Sequence, residues 1–253
     1  MIRRCTATNL VQASRGSNFM TVRQSCAAAR CQAVQQLPCS ARMVLAILMH
    51  LLSAPVRADV CARSQYRYLA LEGGGVRGIA YAGAIQALED AGQLVGFKGF
   101  AGTSAGSIGA ALLSAGYGAK DVAHELRTFD FNLMLDSSGS KILDISGFMA
   151  RYGWYMGDAL ENVVEGLLHR KTGRANVTFG QLYAATGKEL RVAAVCVNDG
   201  SLTYFDRNDF SEMPVARAVR ASAAIPLFFK PVTYGGRTYV DGGLVRSLPF
   251  DAF

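Results

Sequence analysis

Residues 64–253 predict an α/β domain with a parallel sheet and helices on its faces. Two observations carry that expectation. A short apolar strand candidate, a glycine turn and a stretch of helical apolar spacing follow one another, and the unit recurs. The stretches between these units are short, and no internal repeat, low-complexity stretch or long linker interrupts them, so one domain is expected.

The elements follow in order. Tyr66–Leu71 is apolar and ends in Glu72 and three glycines, which predicts a strand and a turn. Ile79–Ala91 has apolar residues at helical spacing and stops at Gly92. Phe97–Ala101 predicts a second strand, broken by Gly102-Thr103-Ser104-Ala105-Gly106. Ile108–Ala115 reads as a buried helix of small apolar residues ending at Gly116, and Lys120–Phe131 as an amphipathic one. Phe131–Gly157 is irregular and contains Trp154. Asp158–Leu168 predicts a helix with Asp158 as its N-cap. Leu190–Val197 predicts a buried strand, Asn198-Asp199-Gly200 a turn, and Leu202–Phe205 the returning arm of a hairpin. Pro214–Ala221 predicts a short helix with proline near its start. Phe228–Val232 and Thr238–Val240 read as strands around Gly235-Gly236, and Asp241-Gly242-Gly243 stands where the last strand ends.

The first 63 residues are of another kind. The chain has 253 residues, 51% of them hydrophobic, and a formal charge of +7. That apolar content excludes a disordered chain, and 27 glycines without a three-residue period exclude collagen. Residues 1–63 hold eight arginines and one acid, Asp59, so the whole excess of charge lies there, and the rest is neutral. Nucleic-acid binding is therefore not expected of the domain. Five of the six cysteines also lie in this segment, which is no disulfide framework for a chain of this length. The apolar run Met43–Leu52 is about half of what spans a bilayer. Small residues at Val56 and Ala58 follow it, so the segment reads as a secretory signal cut after Ala58. Its arginine-rich, acid-poor composition also fits an organelle transit peptide, and an unprocessed tail held to anionic lipid is a third reading. Residues 1–63 are thus expected outside the fold, with 64–253 as the working domain.

Three glycine-flanked sites stand at strand ends, where open α/β sheets place ligands. Gly102-Thr103-Ser104-Ala105-Gly106 has the form of a nucleophile elbow, whose tight turn lifts a serine hydroxyl onto a helix N-terminus. It equally suits a glycine-rich helix entry with Ser104 as a cap. Gly73-Gly74-Gly75-Val76-Arg77-Gly78 matches a dinucleotide fingerprint. The acid that fingerprint expects at the end of the next strand is absent, because Glu89 and Asp90 fall in the helix. The same glycines can present bare N–H groups to an oxyanion beside Arg77, or simply make a tight helix entry. Asp241-Gly242-Gly243 is either a plain turn or the base that activates a serine. A serine nucleophile usually wants a histidine. The chain has His50, His124 and His169, and none follows His169. A Ser-His-Asp triad is poorly supported, which raises Asp241 as a direct partner of Ser104.

Taken together, Gly73–Gly78, Gly102–Gly106 and Asp241–Gly243 resemble the signatures of the patatin-like phospholipases, in the family's order and spacing. Leu69–Glu72 and Ala221–Phe229 fit as well, so the resemblance spans about residues 66–250. It implies a three-layer α/β/α fold with a mostly parallel sheet, related to the cytosolic phospholipase A catalytic domains. It implies a Ser104–Asp241 dyad that hydrolyses lipid acyl esters through an acyl-enzyme, with no metal or cofactor. Gly73, Gly74 and Gly75 would supply the oxyanion hole with Arg77 nearby, and Gly102, Thr103, Ala105 and Gly106 the elbow. Gly78, Gly242 and Gly243 complete the motifs. Phe131–Gly157 would be a lid or acyl-chain wall, or a loop packed on the core, and peripheral membrane contact would come from apolar surface near the site. Ser247 stands where the family commonly has Asn and is expected to make a similar hydrogen bond. Family members continue with further helix, so an end at Phe253 is expected to truncate the domain, and a catalytically silent lipid-binding domain is the competing expectation.

Overall fold

The structure, a computed structural model, describes residues 9–13, 19–24, 66–128 and 153–253. The apolar run Met43–Leu52, the cleavage position at Ala58 and residues 131–152 of the expected lid lie outside the described residues.

Strand β1 spans Asn9–Ala13, β2 Phe19–Gln24, β3 Tyr68–Leu71 and β4 Gly99–Thr103. A 3-10 turn over Gly75–Ala80 leads into helix α1, Tyr81–Asp90. Helix α2 is Ala105–Ser114 and α3 is Ala119–Thr128. Strand β5 is Gly153–Tyr155, helix α4 Asp158–Thr172 and α5 Phe179–Thr186. Strands β6 (Glu189–Cys196) and β7 (Leu202–Phe205) form the expected hairpin. Helix α6 is Val215–Ser222, followed by β8 (Leu227–Phe229), β9 (Val232–Tyr234) and β10 (Arg237–Asp241).

The main sheet runs β1-β2-β3-β4-β6-β10-β9, with β7 paired to β6. From β2 through β3 and β4 to β6 the pairing is parallel, and antiparallel pairs close both sides. Helices flank this mixed sheet in the three-layer α/β/α arrangement. All five residues of β4 are buried, as a strand covered on both faces requires. One core cluster joins Leu71, Ile85, Leu112, Val192, Phe205 and Val219. Helix α2 packs against β4 closely because its sequence, AGSIGAALLS, offers small residues. Strands β5 and β8 form a separate parallel ribbon. Arg220 of α6, itself buried, fastens that ribbon by donating to the Lys230 carbonyl at 2.7 Å and to the Met156 carbonyl.

Three local readings change. Residues 1–63 were expected outside the fold, yet β1 and β2 extend the sheet beyond β3. A sheet edge offers unpaired N–H and C=O groups to any extended segment, whatever its side chains. Helix α4 is entered through Gly157 at φ 75°, with no side-chain cap, so Asp158 sits in the first turn instead of capping it. Helix α5 was not read from the sequence. Thr178 and Gln181 form a capping box at its start, which is the signal that marked it.

Candidate active site

Three chain segments meet at the C-terminal ends of β3 and β4 and the end of β10. The elbow comes first. Thr103 ends β4, and Ser104 caps α2 at φ 51° and ψ −125°. A non-glycine residue holds such a left-handed φ only where its surroundings enforce it. Two close approaches enforce it here. A Cβ on Gly102 would stand 2.6 Å from Ser107 Cα, and one on Gly106 would stand 2.7 Å from the Glu72 carbonyl oxygen. Only glycine lets β4 turn back onto α2, and α2 lie against the end of β3, at that spacing. Ala105 opens α2.

The Ser104 amide is held by a side chain that sequence reasoning missed. It donates to Ser222 Oγ at 2.9 Å, and Ser222 Oγ donates in turn to the Ala193 carbonyl at 2.6 Å. Ala193 is the β6 partner of Thr103 in the parallel ladder. The Ser222 hydroxyl therefore fills in for a ladder bond where β4 leaves the sheet. The Ser104 carbonyl accepts from the Ser107 N–H at 2.8 Å and from its hydroxyl at 2.6 Å. Both serines that grip the elbow are fully buried.

Asp241 ends β10 and lies beside the elbow. Ser104 and Asp241 are 7% and 6% exposed, and the Ser104 hydroxyl is near enough to the Asp241 carboxyl to affect its proton affinity. The Gly243 N–H donates to Asp241 Oδ1 at 2.7 Å, and the Asp241 N–H donates to the Ala224 carbonyl at 2.9 Å. Burial pushes the Asp241 carboxyl above its ordinary range, while the Gly243 N–H and the nearby Ser104 hydroxyl pull the other way. A Cβ on Gly242 would meet the Ala193 carbonyl carbon at 2.8 Å, so glycine is what lets this turn sit against β6.

The glycine loop closes the third side. A Cβ on Gly73 would stand 3.3 Å from Ser104 Cβ, and one on Gly78 would stand 3.2 Å from Ala105 Cβ. The Gly73 N–H is committed, donating to the Ser247 carbonyl at 2.9 Å. The oxyanion donors expected at Gly73, Gly74 and Gly75 thereby narrow to Gly74 and Gly75. Their N–H groups take part in no hydrogen bond among the described residues. Arg77 is exposed, with Nε 3.4 Å from the Gly74 carbonyl, and it makes no hydrogen bond to Ser104 or Asp241.

The segment after Asp241 ties loop to elbow. The Thr103 hydroxyl donates to the Arg246 carbonyl at 3.0 Å, and the Ser247 hydroxyl lies 3.5 Å from the Gly73 carbonyl. His124 and His169 lie exposed on α3 and α4. The arrangement is thus a serine on a strained turn, a buried carboxylate beside it and two N–H groups that are unengaged among the described residues. It can take a proton from the serine and hold negative charge on an oxygen attached to it.

A profile of the patatin-like phospholipase family matches residues 69–253. The uncharacterised protein YqhO of Bacillus subtilis is 37% identical over 196 residues, covering 72% of this chain and 64% of that protein. The probable lipid hydrolase 463L of Invertebrate iridescent virus 6 is 28% identical over 188 residues, covering 74% of this chain and 62% of that protein. The chain thus spans less than two thirds of the length of these curated relatives. The fold resembles that of VipD from Legionella pneumophila, with a TM-score of 0.55 at 21% identity over 72% of this chain and 47% of that one.

Proposed function

The chain belongs to the patatin-like phospholipase family, and on that footing we propose that it is a lipid acyl hydrolase, of phospholipase A or lysophospholipase type, working through a Ser104–Asp241 dyad. The observation that carries the reading is a serine on a strained elbow set beside a buried carboxylate that burial makes more basic.

The steps follow from the positions. The Ser104 Oγ attacks the acyl carbonyl carbon while its proton passes to the Asp241 carboxylate. The carbonyl oxygen becomes an oxyanion held by the Gly74 and Gly75 N–H groups. The carbon–oxygen bond to the alcohol then breaks, and Asp241 returns the proton to the leaving oxygen. An acyl ester remains on Ser104. Water attacks that ester, its proton goes to Asp241, and collapse releases the fatty acid as Ser104 recovers the proton. The bonds from Ser222 and Ser107 keep the elbow in place through both halves of the cycle.

Labelling with a fluorophosphonate probe tests the reading. Wild type is expected to react at Ser104, Ser104→Ala not at all, and Asp241→Asn at least about 100-fold more slowly. An unlabelled wild type would favour the silent lipid-binding domain instead. Export belongs to the same proposal, and it predicts a mature N-terminus at Asp59.

A further inference from the structure

Single exposed apolar residues are ordinary on a protein surface, but several on three segments that meet at Ser104 and Asp241 are not. Val76 and Ile79 stand just past the glycine loop, Leu227 and Phe228 on β8, and Leu244 and Val245 just past Asp241. Val76 and Leu227 are 62% exposed, and Leu244 61%. Each pair is tethered to the dyad. Gly73 packs against Ser104, the Ala224 carbonyl that precedes β8 holds the Asp241 N–H, and Leu244 lies in the turn that Asp241 begins. Leu227 adds a second observation. It keeps φ 70°, a left-handed conformation that disfavours any side chain, and still turns an apolar group to solvent. Charge adds a third. Across residues 73–80, 225–232 and 242–250 the charged side chains are Arg77, Lys230 and Arg246, all cationic. Arg246 is paired with Asp251 at 3.2 Å, whereas Arg77 and Lys230 are exposed.

We propose that this rim docks on an anionic phospholipid surface. The apolar side chains enter the boundary between headgroups and acyl chains, and Arg77 and Lys230 face the headgroup phosphates and carboxylates. Docking there sets the face that carries Ser104 and Asp241 against the lipid, which shortens the path of an acyl ester to the dyad. The proposal rests on the hydrolase reading for its purpose, but the docking itself is measured separately.

The test uses the full chain with two kinds of vesicle, phosphatidylcholine alone and phosphatidylcholine with one third phosphatidylserine. Co-sedimentation reports docking, and turnover of a short-chain soluble ester reports the dyad. The arginines of residues 1–63 are the same in every variant, so differences between variants belong to the rim. Wild type is expected to sediment with anionic vesicles. The Leu227→Glu/Phe228→Glu double variant is expected to bind at least tenfold more weakly and to keep the soluble-ester rate within twofold. Lys230→Glu is expected to weaken binding to the anionic vesicles more than to the neutral ones. Leu227→Gly suits the left-handed φ, so it folds at least as well as wild type and still binds more weakly. Vesicle binding by these variants equal to that of wild type overturns the proposal. So does a concentration-dependent dimer in sedimentation velocity that the glutamates abolish while vesicle binding stays unchanged, because the rim would then mate with a second copy. Loss of soluble-ester turnover in wild type counts against the hydrolase reading alone and leaves the docking result standing.

Discussion

Replacing Ser222 by alanine removes one oxygen that serves two buried backbone groups. The Ser104 N–H gives to it at 2.9 Å, and it gives to the Ala193 carbonyl at 2.6 Å. Leaving a buried backbone group unpaired costs about 1–3 kcal/mol, so two could cost about 2–6 kcal/mol. Part of this is recoverable. Thr103 and Ala193 are already ladder partners, so the freed N–H of Ser104 can move toward the Ala193 carbonyl. We therefore expect a net loss of about 2–4 kcal/mol, a fall in melting temperature of about 5–15 °C for a domain of this size. On the proposed mechanism the recovery carries its own cost in reactivity, because it drags Ser104 toward β6. A displacement on the order of 1 Å lowers the rate up to about 100-fold. The assay pairs a thermal melt followed by circular dichroism with the rate of fluorophosphonate labelling well below either melt. Ser222→Ala should label about 10–100-fold more slowly while fully folded. Labelling within twofold of wild type would show that the elbow holds its place without the bridging hydroxyl, and the positioning argument would fail.

Three further outcomes follow from the site. Asp241 has a folded-state pKa raised above 3.8, so the folded protein binds the proton more tightly than the unfolded chain. Its contribution to stability is fully present below the unfolded pKa and is lost as pH rises through the folded one. Asp241→Asn removes that buried charge, so it should melt higher than wild type near pH 7, and the gap should close as pH falls. A gap that widens toward acid would contradict the sign. Ester turnover by wild type should decline on the acid side with a midpoint above 3.8, because the protonated carboxyl cannot accept the Ser104 proton. Gly106→Ala places a Cβ 2.7 Å from the Glu72 carbonyl oxygen, against backbone that cannot yield cheaply. A loss above about 3 kcal/mol is expected. A variant whose midpoint in urea matches wild type would mean that α2 is free to shift away from β3.

Much of the fold was legible because its signals are local. Strand, glycine turn and helix announce themselves within about ten residues, and β3, β4, β6, α2 and α6 all lie close to where the pattern placed them. The misses have physical causes. Helix α5 is short, and its Thr178–Gln181 box is easily passed over. Gly157 enters α4 through a positive φ, and an aspartate one residue later imitates a cap. Strands β1 and β2 are joined to the sheet by backbone groups that leave no apolar period in the sequence. Ser222 and the Arg246 carbonyl could not be found in this way at all. They meet the elbow across sequence separations of 118 and 143 residues, and no local pattern encodes such a meeting.

The sequence by itself determined the chemical vocabulary of the protein. It set a serine between glycines after a strand, an aspartate before two glycines, a run of bare amides and a neutral body behind a basic segment. Those are properties of short stretches, and short stretches can be read. The tertiary structure alone decided how those parts act on one another. It committed the Gly73 amide to Ser247, left the Gly74 and Gly75 amides unengaged among the described residues, buried Asp241 and put a hydroxyl from α6 on the Ser104 amide. The reason is that pairing and burial depend on distances between segments far apart in the chain, and packing of the whole domain sets those distances.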